Sequence, residues 1–129
     1  MSERDNSRRV IMVVDDYDSI RELLSLFLTV SGYDVIEACN GFEAVRIAVS
    51  ECPDLIIMDL SMPVLDGYGA VRLLREVPEI CEVPIVACTA HDSSTHRTQA
   101  MRVGFNEVLT KPIDFTQLNL VIDRFLKAA

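Results

Sequence analysis

The chain has 129 residues, and 50% of them are hydrophobic, so it is long enough to fold alone as one domain with a buried core. Its formal net charge of −8 argues against a nucleic-acid-binding surface, which needs clustered basic side chains, and is compatible with a cation or a protein partner. No apolar run approaches the length that would cross a membrane.

Residues 1–9 are polar and predict a flexible tail ahead of a single folded domain at 10–129. The tail has no apolar segment of the signal-peptide type, which favours a cytoplasmic protein. The four cysteines form no Cys-x-x-Cys pair, so we expect them to be small core side chains rather than disulfides or zinc ligands. They are Cys39, Cys52, Cys81 and Cys88.

Five short segments along the chain have the composition of β-strands. Unbroken apolar runs predict strands buried on both faces at 10–14, 55–58 and 83–88. Weaker signals predict an edge strand at 33–38 and a short fifth strand at 108–110. Polar or charged residues come directly after most of these runs.

A helical pattern follows each predicted strand. The first helix ends at Gly32, and the inner face predicted for it consists of Ile20, Leu23, Leu24, Phe27 and Leu28. The residues expected to cap helix starts are Asp18 or Ser19, Asn40 in the capping box Asn40–Glu43, Asp66, and Asp114 with Gln117, and the fourth helix is expected to begin at Asp92. The second helix is expected to end before Pro53, the third near Glu76 and the fourth at Gly104.

Strict alternation of doubly buried strands with helices predicts an α/β fold with a parallel sheet covered on both faces. Five units are too few for an eight-unit barrel, so a doubly wound sheet is expected. Ligands bind such sheets at the carboxyl ends of the strands. The residues expected there are Asp15, Asp16, Asp59, Thr89 and Lys111.

Three carboxylates on one rim repel each other unless a cation lies among them. Oxygen ligands with no adjacent His or Cys ligand favour a hard ion, Mg²⁺ first. Lys111 adds a movable positive charge and Thr89 a hydroxyl donor. A metal, a cation, a donor and a carboxylate nucleophile are together the parts of a phosphoryl-transfer site.

The sequence resembles the receiver domains of two-component response regulators, including CheY-like single-domain regulators. The residues that carry the resemblance are 13–16, Asp59 with 60–67, Thr89-Ala90 and Lys111-Pro112. Their order and spacing match over essentially the whole chain after the tail. The resemblance implies a flavodoxin-like, five-stranded parallel sheet in the order 2-1-3-4-5.

The resemblance also implies that Asp59 accepts a phosphoryl group from a histidine of a sensor kinase or a phosphotransfer protein. It implies that Mg²⁺, with Mn²⁺ as an alternative, is bound by Asp16, Asp59 and the backbone carbonyl of Ser61, while Asp15 acts through a bound water. Thr89 and Ala90 would respond to the phosphoryl group, and Lys111 would pair with it. The Lys111–Pro112 bond is expected to be cis.

The resemblance further implies that phosphorylation changes the face built from helix 4, strand 5 and helix 5, and so changes binding to a downstream protein. The aromatic residue that commonly precedes the lysine by three positions is replaced here by Val108. Coupling from Thr89 to that face is therefore expected to be weaker or to use other side chains. Ser61 and His91 are expected to tune dephosphorylation.

Two other functions remain open from the residues. A small Mg²⁺-dependent phosphohydrolase would also use an aspartyl phosphate, but it would need a second acid–base carboxylate where Ser61 stands, and a cap. A receiver-like scaffold independent of phosphorylation would not need the acidic, Thr89 and Lys111 set. We expect a signalling receiver rather than an enzyme, with no nucleic-acid or membrane contact. Met1 and the short tail favour a stand-alone regulator over an excised domain.

Overall fold

The computed structural model describes residues 8–60, 62, 65–90 and 94–126. Within them, five β-strands alternate with five α-helices. The strands are β1 Val10–Val14, β2 Asp34–Ala38, β3 Leu55–Asp59, β4 Ile85–Thr89 and β5 Glu107–Thr110. The helices are α1 Asp18–Val30, α2 Gly41–Glu51, α3 Gly67–Arg75, α4 Ser94–Val103 and α5 Phe115–Leu126.

The strands form one parallel sheet in the order β2-β1-β3-β4-β5. The predicted fold class and strand order are therefore confirmed. β1, β3 and β4 are buried along their whole length, as expected for central strands covered on both faces. β2 lies at the sheet edge, which accounts for its weaker sequence signal.

Alternate side chains of the central strands enter two separate cores. Met12, Ile56 and Ala87 face the core covered by α2, α3 and α4. Ile11, Ile57 and Val86 face the core covered by α1 and α5. This alternation is the two-residue period of a strand, and it leaves the strand ends as the place where polar side chains can gather.

Most predicted helix ends agree with the structure. Asn40 Oδ1 accepts the Glu43 N–H at 2.8 Å, and Asp66 Oδ1 accepts the Gly69 N–H at 2.9 Å. Asp114 Oδ1 accepts the N–H groups of Thr116 and Gln117. The expected start of α4 at Asp92 and the tail residues 1–7 lie outside the described residues.

α1 begins at Asp18, but the capping residue predicted for it is wrong. Neither Asp18 nor Ser19 caps the helix, because the N-cap residue is Tyr17, whose side chain makes no capping hydrogen bond. The Tyr17 N–H instead donates to Asp15 Oδ1 at 2.9 Å. The residue that begins the acidic rim therefore also orders the first turn of α1.

Two predictions of burial are also wrong. Leu23, expected on the inner face of α1, is 53% exposed because it lies at the edge of the apolar stripe. Cys39 and Cys52 are exposed, whereas Cys81 is half-buried and Cys88 is a true core residue. All four thiols are free in the structure. Among the described residues, no helix is long and apolar enough to span a membrane.

Candidate functional site

Three carboxylates meet at the carboxyl ends of β1 and β3. One oxygen from each of Asp15, Asp16 and Asp59 lies within 4.8 Å of the others. Asp15 and Asp59 are buried and Asp16 is half-buried. At such separations the carboxylates repel each other, and burial removes much of the water that would screen them. The cluster therefore attracts a cation strongly.

Asp15 is held in place by its main chain and by one carboxylate oxygen. Its N–H donates to the Ala38 carbonyl at the end of β2, at 3.2 Å. Its own carbonyl accepts a hydrogen bond of 2.8 Å from Arg21 Nη1 in α1. Because Oδ1 is bound to the Tyr17 N–H, Oδ2 is the oxygen that faces Lys111.

Lys111 follows β5 and lies among these carboxylates. Its Nζ is 3.3 Å from Asp59 Oδ1 and 3.5 Å from Asp15 Oδ2. Burial acts to lower the pKa of Lys111, but the attraction of Asp59 and Asp15 outweighs burial and raises that pKa. Lys111 is therefore a persistent positive charge directly beside Asp59.

Thr89 ends β4 next to the same rim. Cys88 is the register partner of Asp59, so Thr89 lies one residue further along the neighbouring strand. Thr89 is buried, and its carbonyl accepts the Lys111 N–H at 2.7 Å. Ala90, which follows, is exposed. The four strand ends singled out from the sequence are thus brought together.

The thiol of Cys88 is close to the site but cannot serve as its nucleophile. Burial raises the pKa of Cys88 to about 12, and the nearby Asp59 carboxylate adds to the rise, while Lys111 opposes it. A thiol with such a pKa stays protonated at neutral pH, and the thiolate is the reactive form. Asp59 is the better candidate nucleophile.

Not every predicted site residue can be placed. Ser61 and His91 lie outside the described residues, so their roles stay predictions. Val108 is buried in the core below α4. The Lys111–Pro112 peptide bond is cis, as the resemblance implies.

The donor set fits a small hard cation. All three potential side-chain ligands are carboxylate oxygens, the ligand type that Mg²⁺ prefers. Asp16 Oδ1 is buried and accepts no hydrogen bond within the described part of the chain, which is an unfavourable state for a carboxylate without a cation. Asp15, Asp16 and Asp59 could therefore hold a metal ion between them.

Sequence reasoning missed the contribution of Arg21. Besides holding the Asp15 carbonyl, its guanidinium binds Asp18 at 2.6 Å and Glu37 at 2.9 Å. These partners belong to three different segments of the chain. The three-residue spacing of Asp18 and Arg21 is a local signal for their ion pair, but the contact with Glu37 depends on the parallel pairing of β1 with β2.

A family model described as the response regulator receiver domain matches residues 11–123. The chain belongs to this family. The match spans the whole sheet and all five helices apart from the first residue of β1 and the end of α5. The receiver assignment made from the sequence motifs is therefore confirmed.

A curated relative aligns with nearly the whole chain. The receiver domain is 38% identical over 125 residues to a protein of Porphyra purpurea named "Probable transcriptional regulator ycf27". The alignment covers 97% of this chain and 50% of that protein. The chain thus spans about half the length of this relative.

Solved structures of receiver domains are similar in fold as well as sequence. The receiver domain of the sensor histidine kinase PA1611 from Pseudomonas aeruginosa has a TM-score of 0.86 and 32% identity, covering 94% of this chain and 99% of that one. That structure has a magnesium ion coordinated in its active site cleft. The Saccharomyces cerevisiae Ssk1 receiver domain, crystallised with the histidine phosphotransfer protein Ypd1, has a TM-score of 0.84 and 30% identity, covering 92% and 88%.

Proposed function

We propose that this receiver domain is a signalling switch in which Asp59 accepts a phosphoryl group from a histidine of a partner protein. The observation that carries the proposal is the position of Asp59, a buried carboxylate 3.3 Å from Lys111 Nζ and clustered with Asp15 and Asp16. The donor is a sensor histidine kinase or a histidine phosphotransfer protein. The Ssk1 structure supports a donor of the second kind.

Asp16 and Asp59 would hold Mg²⁺ directly, with Mn²⁺ as the alternative ion. Asp15 would act through a bound water, and Ser61 would supply its backbone carbonyl. When bound, the ion supplies positive charge beside the oxygens of the transferred group. The magnesium ion in the PA1611 receiver supports this choice of metal.

In the transfer step an Asp59 carboxylate oxygen attacks phosphorus in line with the departing imidazole nitrogen. The phosphorus–nitrogen bond of the phosphohistidine breaks while a phosphorus–oxygen bond to Asp59 forms. The departing nitrogen keeps the electron pair. Lys111 is already beside Asp59, so its ammonium needs little movement to pair with the oxygens of the transferred group.

The new phosphoryl group carries more negative charge than the carboxylate it modifies, so it draws hydrogen-bond donors toward itself. Thr89 and Ala90, at the end of the adjoining strand, are the groups that respond. The response changes the face of α4, β5 and α5, and thereby binding to a downstream protein. Val108 is aliphatic and buried below α4, so coupling from Thr89 to that face is weaker or uses other side chains.

The activity is that of a switch rather than of a turnover enzyme. One phosphoryl group is accepted per chain and is lost slowly by hydrolysis of the acyl phosphate, with Ser61 and His91 tuning the rate. The protein acts in the cytoplasm and recognises proteins rather than nucleic acid, in keeping with its net charge of −8.

The direct test is incubation with Mg²⁺ and acetyl phosphate, followed by intact mass measurement. We expect the mass of one phosphoryl group to be added to the parent protein and none to Asp59→Asn. Omitting the divalent ion should prevent the gain. No gain in the parent, or an equal gain in Asp59→Asn, would defeat the proposal.

A further inference from the structure

Leu65 lies in a close-packed position between α2 and α3. A Cβ atom added at Gly41, the first residue of α2, would overlap the carbonyl oxygen of Leu65 and lie 3.0 Å from its Cβ and Cγ. A Cβ added at Gly69 in α3 would lie 2.5 Å from Leu65 Cδ1. Real side chains do not approach so closely, so only glycine fits at both positions without displacing Leu65.

The residues that follow Leu65 pack directly on the backbone of Asp59. A Cβ added at Gly67 would lie 2.7 Å from the Asp59 carbonyl oxygen and 3.0 Å from Leu60 Cα. The Gly67 N–H donates to the Leu60 carbonyl at 3.2 Å. Three consecutive residues, 65–67, therefore connect the start of α2 to the main chain that carries the phosphoryl acceptor.

Helix propensity alone does not account for these glycines. Glycine is less favourable than alanine within a helix, and both Gly41 and Gly69 lie in first turns of helices. Neither has the positive φ angle that would require glycine for conformational reasons. Close approach to Leu65 is the remaining physical reason for a residue without a side chain at both positions.

We infer that Gly41 and Gly69 form a socket for Leu65 that positions Asp59 for metal binding and phosphoryl acceptance. The inference rests on the proposed function. Gly41, Leu65 and Gly69 are positioning residues, since none of them is a ligand or touches the transferred group. The chemistry depends on the separation of carboxylate oxygens, and that separation depends on the backbone at Asp59.

The socket gives distinct expectations for two alanine variants. In Gly41→Ala the new methyl meets the backbone carbonyl oxygen of Leu65, so the segment itself must move. In Gly69→Ala the methyl meets the flexible end of the Leu65 side chain. Truncation by Leu65→Ala removes the second clash but not the first.

The test measures Mn²⁺ affinity by electron paramagnetic resonance and the rate of mass gain from acetyl phosphate with Mg²⁺. We expect Gly41→Ala to weaken Mn²⁺ binding about tenfold, the scale on which residues that support ligands act, and to slow phosphorylation. Gly69→Ala should show a smaller loss, because the end of the Leu65 side chain can move aside, and Leu65→Ala should largely reverse that loss in the double variant. The double variant of Gly41→Ala with Leu65→Ala should show no such recovery.

Ile122→Val is the matched control for a general loss of stability. Ile122 is fully buried in the other core, below α5. The control should lower the thermal midpoint while leaving Mn²⁺ affinity and phosphorylation rate unchanged. Parallel losses of affinity in this control would overturn the inference, because they would attribute the effect to stability alone.

The possible outcomes distinguish a failure of the socket inference from a failure of the proposed function. A parent protein that neither binds Mn²⁺ nor gains mass would defeat both. A folded Gly41→Ala with parental Mn²⁺ affinity and rate would defeat the socket only. If Gly41→Ala does not fold, the Gly69 series decides: no loss in Gly69→Ala, or a loss that persists in the double variant, overturns the inference.

Discussion

The guanidinium of Arg75 binds the carbonyl oxygen of Gly104 with two nitrogens, Nη2 at 2.6 Å and Nε at 3.1 Å. The same group donates to the carbonyls of Cys81 and Val83 and to Asn106 Oδ1. Burial lowers the pKa of Arg75, and each of these oxygens is neutral. One half-buried cation thus joins α3 to the chain on both sides of β4.

We expect Arg75→Lys to reduce the free energy of unfolding by about 2 kcal/mol. The oxygens lie around a planar guanidinium with several nitrogens, and the single nitrogen of an ammonium group cannot reach all of them. Urea unfolding at neutral pH measures the change. Arg72→Lys, at an exposed position of the same helix, is the control and should change the stability by less than about 0.5 kcal/mol. Equal losses in the two variants would contradict the role given to Arg75.

Lys111→Met is expected to have opposite effects on metal binding and on phosphorylation. Removing a positive charge 3.3 Å from Asp59 and 3.5 Å from Asp15 makes the cluster more negative, so Mg²⁺ affinity should rise several-fold. Phosphoryl acceptance should slow by at least about tenfold, because the charge that offsets the transferred oxygens is lost. Calorimetry and intact mass measure the two effects. Lys111→Arg, which keeps the charge, should not raise the affinity.

Asp16→Asn should stabilise the ion-free protein and abolish its response to Mg²⁺. Neutralising one of three clustered carboxylates relieves repulsion worth about 1 kcal/mol, or about 4 °C in thermal midpoint. The parent should gain about 2.7 kcal/mol at an ion concentration one hundred times its Kd, and the variant almost nothing. Glu22→Gln, an exposed acidic residue on α1, is the control. A variant that Mg²⁺ stabilises as much as the parent would contradict the assignment.

The lowered pKa of Glu107 predicts that the stability of the fold depends on pH. Burial acts to raise its pKa, but hydrogen bonds from Arg124, the Val108 N–H and Arg97 outweigh burial and lower the pKa. Because the folded pKa lies below the unfolded value of about 4.3, the stabilisation is complete above that value and is lost as the pH falls through the folded pKa.

The corresponding variant, Glu107→Gln, should be less stable than the parent by about 0.5–1 kcal/mol at pH 7, a modest value because both arginines are half exposed. The difference should shrink as the pH falls through the folded pKa of Glu107, where the carboxylate charge is lost. Urea unfolding across this range measures it. A difference that persists unchanged at the acidic end would show that the carboxylate charge is not its cause.

The sequence predicts the sheet and the rim well because both depend on local patterns. Unbroken apolar runs identify central strands, and charges that follow them fall at the strand ends by the geometry of a parallel sheet. Asp15, Asp59 and Lys111 come from distant segments, yet each could be assigned to the rim from the strand that precedes it.

The remaining features depend on contacts between segments. Asp15 orders the start of α1 from outside the helix, so a search for a capping residue at Asp18 or Ser19 could not find it. Leu23 satisfies the helical period but lies beyond the area that the sheet covers. Gly41 and Leu65 are 24 positions apart, and nothing local to either indicates their contact.

The position of Cys88 allows the opening of the core to be timed by covalent labelling. Its thiol is buried on β4 opposite Asp59, whereas Cys39 and Cys52 are exposed. A thiol reagent should modify the exposed pair at once and Cys88 only when the core between the sheet and helices α1 and α5 opens, so the ratio of the two labelling rates reports the free energy of opening. An ion or a phosphoryl group that stabilises the folded domain should slow the labelling of Cys88. The labelling rate of a residue on β4 would then report whether the site at Asp59, on the neighbouring β3, is occupied.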